Sequence, residues 1–179
     1  MKLKALCCGA LLLGLLASPA LAGVIEVTIS PAFQSVDISA GTATIDILAT
    51  IPEDVAIEGF GMDLNLGGDL NVSYTALDVV IGPLFDQAFA PDGDGLAGLV
   101  QPPNVVWGTD ILLATVTLQL NAVGTTTLLP GDSNAAGDLT EGFINGGFVP
   151  VNYTAGAIQV TPEPASLVLL ALGLVLRRR

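Results

Sequence analysis

Between residues 23 and 160, apolar and polar side chains alternate in short runs with a period of two, the pattern of strands that bury one face. Ile25, Val27 and Ile29 alternate with Glu26 and Thr28, and Ile45, Ile47 and Ala49 with Asp46 and Leu48. Phe60, Met62, Leu64 and Leu66 alternate with Gly61, Asp63 and Asn65, the clearest half-buried strand of the chain, and Val72 and Tyr74 continue it beyond a Gly67-Gly68 turn. Val116, Leu118 and Leu120 alternate with Thr117 and Gln119, and Ile158 and Val160 close the region. Turn formers separate the runs: Pro52-Glu53, Pro91-Asp92-Gly93, Pro102-Pro103-Asn104, Pro130-Gly131-Asp132 and Asn145-Gly146-Gly147. Helical periodicity competes nowhere except in a short turn around Ala76–Val80. About eight to ten strands of this kind predict an all-β, two-sheet antiparallel sandwich of jelly-roll type, since each sheet needs one apolar face.

The two ends follow a different pattern. Residues 1–22 combine a basic start (Lys2, Lys4), an apolar run from Leu6 to Ala17, and the small-x-small sequence Ala20-Leu21-Ala22, so a signal helix cut after Ala22 is expected. An uncleaved N-terminal anchor is the alternative. Cys7 and Cys8 leave with that segment, which removes disulfide and thiol chemistry from the mature chain. Residues 161–179 place Pro162-Glu163-Pro164 before the apolar run Leu167–Leu176 and end in Arg177, Arg178 and Arg179. The prolines stop a helix from extending backwards, so a short apolar helix starts near Ala165. Twelve residues at about 1.5 Å each reach about 18 Å, short of a hydrocarbon core of about 30 Å, so the segment suits transient better than permanent anchoring. Arginines held on the cytoplasmic side place the domain outside.

This tail resembles the PEP-CTERM sorting signal of Gram-negative bacteria that make extracellular polysaccharide. The resemblance rests on Pro162, Glu163 and Pro164, the apolar run and the arginine cluster, over 19 residues. It implies processing near the PEP motif by an exosortase, a membrane-embedded cysteine transpeptidase, and residence in the cell envelope or extracellular matrix. The apolar run is somewhat short for that family.

Charge changes the picture of the middle region. The chain has 17 acidic residues, of which only Glu163 lies outside residues 23–160, and its five cations all sit in the two ends. The domain is therefore a polyanion with no Lys, Arg or His. Nucleic acid is excluded as a partner, because no cation is present to neutralise phosphate. Anionic lipid surfaces are excluded on the same ground. The missing side chains also rule out a Ser–His–Asp triad, a Cys–His pair, a lysine nucleophile and a His-ligated zinc site. Carboxylate pairs of glycosidase type remain arithmetically available, but nothing singles out one pair. The expectation is a non-enzymatic protein.

Calcium is the one cofactor with candidate ligands. Asp92-Gly93-Asp94-Gly95 puts two carboxylates on a flexible loop, although an EF-hand pattern fails at Leu96 and Ala97. Asp132-x-Asn134 with Gly137 fails likewise at Ala136 and Phe143. The competing reading is a pair of ordinary acidic turns. Trp107, the single tryptophan, is either a packing residue at a strand end or a stacking platform for sugar.

The middle region also resembles the cohesin-like sandwich, akin in shape to some carbohydrate-binding modules. The segments concerned are Gly59–Leu66, Leu70-Asn71-Val72 and Leu112–Leu120. The resemblance implies adhesion through polysaccharide or a partner protein. It supplies no recognition residue, because no residue-level binding motif of that family is present.

Overall fold

A computed structural model describes residues 23–68, 71–88, 93–132 and 141–163. The signal helix with Ala20 and Ala22, the apolar C-terminal helix, Pro164 and Arg177, Arg178 and Arg179 lie outside the described residues. Among the described residues the chain is almost entirely β, broken by three single 3-10 turns. One of these, Ala76–Asp78, is the short turn expected there.

The longest strands form one sheet. β1 (Ile25–Ser30) pairs antiparallel with β3 (Thr42–Ile51), which pairs antiparallel with β10 (Gly108–Leu120). Both β1 and β3 keep strict alternation, with Ile25, Val27, Ile45, Ile47 and Ile51 buried and the intervening side chains turned out. Each buried aliphatic side chain contributes about 1.5–3 kcal/mol, so these β-branched rows are the main source of cohesion. The short β6 (Val72–Ser73) and β7 (Val79–Ile81) extend the far side of β10.

A four-stranded sheet faces it. Its order is β2 (Phe33–Asp37), β15 (Gly156–Thr161), β11 (Gly124–Gly131) and β5 (Asp63–Gly68). β1 packs across β11 and β15, so the core lies between these layers, with Leu128, Ile158 and Val160 meeting the isoleucines.

Three expectations need correction. First, the Phe60–Leu66 run is two strands in two sheets. β4 (Gly59–Gly61) pairs with β12 (Gly142–Ile144) and β9 (Ala97–Leu99), whereas β5 pairs with β11. The break is Met62, whose N–H donates to the Leu96 carbonyl at 3.1 Å instead of joining a ladder. Side-chain alternation passes through such a break undisturbed, so periodicity cannot reveal it.

Second, the sandwich has three hydrogen-bonded sheets, not two. The third has the order β13 (Phe148–Val149), β12, β4, β9 and β8 (Asp86–Gln87). It shares the same core through Phe60, Phe85 and Phe143. The Phe60 ring meets Phe85 edge-on at 5.0 Å and stacks on Phe143 at 5.9 Å.

Third, the pairing is not wholly antiparallel. β1 runs parallel to β14 (Val151–Tyr153), and β2 runs parallel to β15. Both the first and the last strand pairs cross from one sheet to the other, at Pro31-Ala32 and at Thr154-Ala155, and they track each other through the crossing. The Thr154 N–H bonds the Val27 carbonyl at 2.8 Å, and the Ala157 N–H bonds the Ala32 carbonyl at 2.9 Å.

Candidate functional site

Trp107 sits immediately before β10, and the local backbone explains its placement. β10 carries two irregularities in its register with β3, between Gly108 and Ile111 and between Leu112 and Ala114. The first contains Gly108 at φ 136° and Asp110 at φ 53°, a left-handed conformation uncommon for a residue with a Cβ. Bulges of this kind bend a strand end and re-aim its side chains. Trp107 is 53% exposed, which leaves it outside the core and open to either sheet-edge packing or contact with a ligand.

The strand residue before it locks the site. Val106 and Ile57 exchange reciprocal backbone hydrogen bonds, at 2.9 Å and 2.8 Å, as an isolated antiparallel bridge. Both side chains are buried. Period-two geometry then turns Val105 and Trp107 outward on the same side, roughly 7 Å apart along the chain. One residue along, the Val100 N–H donates to the Glu58 carbonyl at 2.8 Å, and Leu99 pairs with Gly59. The chain therefore leaves β9 and its pairing with β4 after Val100, turns through Pro102 and Pro103, and returns at Val106 to pair with Ile57. The Asn104 N–H closes this turn on the Gln101 carbonyl at 3.1 Å.

The result is a clasp around Glu58. Glu58, Leu99, Val100, Pro102, Pro103 and Asn104 line a half-open cavity of about 220 Å³. Glu58 and Leu99 of the lining are exposed, and so are Val105 and Trp107 on the segment that follows Asn104. Gly59 is required here: a Cβ would lie 2.5 Å from the Leu99 Cδ2 and 2.9 Å from the Gly98 carbonyl. Sequence reasoning marked Pro102-Pro103-Asn104 only as a turn and missed Glu58 and Leu99. The available signal was the juxtaposition of that proline pair with Val105-Val106-Trp107, two exposed apolar side chains flanking a buried one.

Of the two calcium candidates, Asp94 is described. Asp94 is committed to its own loop: its Oδ1 accepts the Leu96 N–H at 2.7 Å, and its Oδ2 accepts the Tyr74 hydroxyl at 3.4 Å. That is the role of an acidic turn residue. Asp92 lies outside the described residues. Among the described residues, no three His, Cys, Asp or Glu side chains are grouped to hold a metal ion.

Two other groups have perturbed acidity. Burial pushes the Tyr153 hydroxyl well above its ordinary range, and the negative charges of Asp132, Glu141 and Asp63 add to the effect. Asp78 is held below the usual carboxylate range, mainly by the Thr75 hydroxyl, then by the Thr75 N–H, both at 2.9 Å, with Gln119 adding a weaker contact. Of the sorting motif, Pro162 and Glu163 are described, and both are exposed just beyond β15. Among the described residues no helix is long and apolar enough to cross a membrane.

Solved structures of low sequence identity have a similar form. A non-cellulosomal cohesin from the hyperthermophilic archaeon Archaeoglobus fulgidus is 13% identical, with 81% of this chain and 96% of that one covered and a TM-score of 0.49. The seventh ScaB type I cohesin from Pseudobacteroides cellulosolvens is 13% identical, with 78% and 94% covered and a TM-score of 0.49. The third cohesin ScaC from Acetivibrio cellulolyticus, solved in complex with the ScaB dockerin, is 15% identical, with 76% and 99% covered and a TM-score of 0.50. The fold is a cohesin-like β-sandwich. No protein-family model matches the chain, and no curated protein does.

Proposed function

We propose that residues 23–160 are a non-enzymatic binding module that works outside the cytoplasm and holds a partner protein through the clasp around Glu58. The observation that carries this reading is a cavity lined by Leu99, Val100, Pro102 and Pro103, with Val105 and Trp107 exposed on the segment that leaves it, on a domain that lacks His, Lys, Arg and Cys. Exposed aromatic and aliphatic side chains grouped beside a pocket mark interaction surfaces. The Acetivibrio cellulolyticus cohesin, which holds a dockerin, lends the shape of this fold to the same reading.

Delivery belongs to the ends. The N-terminal 22 residues act as a secretory signal, and the tail acts as a PEP-CTERM sorting signal processed by an exosortase, with a transient stay in the membrane. Pro162 and Glu163 stand exposed beyond the last strand, where an enzyme reaches them without unfolding the domain. Changing Glu163→Gln then alters the mass and location of the exported protein, and an unchanged product argues against the sorting assignment.

A second reading is polysaccharide binding, favoured by the exposure of Trp107. The mature protein, immobilised and presented with purified envelope proteins and with extracellular polysaccharide of its host, separates the two. Saturable one-to-one binding of a protein, weakened by Trp107→Ala, supports the first. Polysaccharide binding with the same sensitivity replaces it with the second. Turnover of any substrate overturns both.

A further inference from the structure

We infer that the Glu58 cavity receives a single lysine or arginine side chain of the partner. The inference rests on the partner-binding reading above and names the chemistry of its anchor. A cavity of about 220 Å³ is smaller than the roughly 300–1,000 Å³ of small-molecule pockets, so it accommodates one side chain and not an oligosaccharide. Its lining is unevenly divided. Leu99, Val100, Pro102 and Pro103 are its apolar residues, while Glu58 and Asn104 are its polar ones.

That division matches a long cationic side chain, whose methylene stem covers apolar surface while its head seeks a carboxylate. A leucine or phenylalanine would fill the apolar part but leave the Glu58 carboxylate without a partner. A sugar ring would set most of its hydroxyls against carbon, leaving them without partners. The domain's charge points the same way. Residues 23–160 hold sixteen of the chain's 17 acidic residues and no cation, so the surrounding field draws a positive group to the clasp. A second copy of the domain has no Lys or Arg to offer and cannot be the occupant.

The test uses the mature exported protein, with backbone amide shifts of Val100, Asn104 and Val106 as the readout. The probes are acetyl-arginine amide and acetyl-lysine amide, with acetyl-citrulline amide and acetyl-norleucine amide as uncharged matches. Cellohexaose and a peptide ending in three arginines, like the chain's own tail, are run alongside. Saturable shifts at the clasp with the two cations and not with their neutral matches are expected. Affinity falls about threefold or more in Glu58→Gln. It falls again as salt rises from about 0.01 M to about 1 M, which shortens the Debye length from about 30 Å to about 3 Å. Glu26→Gln, which removes the same charge elsewhere on the surface, leaves it unchanged.

Equal response to citrulline, indifference to Glu58→Gln, or non-saturating shifts spread over the acidic surface overturn the inference. Clasp shifts with cellohexaose alone overturn it in favour of sugar. Tighter binding of the tail peptide than of an equally charged scrambled peptide assigns the cavity to the chain's own arginines and overturns it too. If a partner protein binds the mature chain with Glu58→Gln as tightly as without, only the cation anchor fails. If no protein binds, the partner-binding reading fails with it.

Discussion

The paired long strands β1, β3 and β10 and the clasp around Glu58 are built on opposite terms. The first is a repeating structure: buried isoleucines, valines and leucines recur at every second position, and dozens of equivalent contacts share the load. The second is assembled from singular features: a one-residue bridge, a proline pair and a glycine with no room for a Cβ. The long strands therefore set stability and tolerate small adjustments, while the clasp sets a surface and tolerates little change in shape.

That division can be broken at graded points. Truncating the centre of the repeating structure has the largest effect: Leu118→Ala, fully buried in β10, costs about 2–5 kcal/mol in urea or thermal unfolding. Partner binding by the fraction that remains folded is unchanged. Gly59→Ala comes next, at about 1–3 kcal/mol, because the new methyl must displace Leu99 or the Gly98 carbonyl. It also deforms the cavity, so stability and binding fall together, and a loss of one without the other breaks the division.

Tyr153→Phe tests the joint between the last strands and the acidic residues. The hydroxyl is buried with no hydrogen-bond partner among the described residues, so its removal stabilises the fold by about 1 kcal/mol. The pH sign follows from burial raising the folded-state pKa above the ordinary 10.0. The unfolded chain ionises first, so this group costs the fold nothing further below about pH 10 and destabilises it progressively as pH rises past that point. The phenylalanine variant loses that decline, and an alkaline unfolding curve identical to the parent's refutes the assignment.

Trp107→Ala has the smallest effect on folding, within about 0.5 kcal/mol, because the ring is mostly in water. Its effect falls on binding. A thermal midpoint lowered by many degrees returns Trp107 to the packing role.

The same contrast explains what could be read from the residues. β1, β3 and β15 were legible because a half-buried strand imposes period two on its own side chains. β2 was not: Phe33, the largest side chain in it, is exposed at an edge, so nothing in its pattern marks a core face. The second bulge of β10 buries Leu113 and Ala114 side by side, a feature visible as a lapse in alternation but not as the reason for it. The split at Met62 was hidden because pairing partners change there while the inward-facing row continues. Trp107 was singled out by its rarity, whereas Glu58 gains its meaning only from two segments that meet it from residues 99–106. No local pattern encodes such a meeting.

The parallel tracking of β1 with β14 and of β2 with β15 has a mechanical consequence. Ile25 lies beside Val151 and Thr161 beside Asp37, so the first and last strands run side by side in the same direction. A pull applied at residue 25 and residue 161 drags one pair backward and the other forward along their common axis. The ladders are then loaded in shear, with many hydrogen bonds strained at once, whereas a hairpin pulled open at its end yields one bond at a time. A domain pulled between its first and last strands is, in this geometry, braced along the line of force.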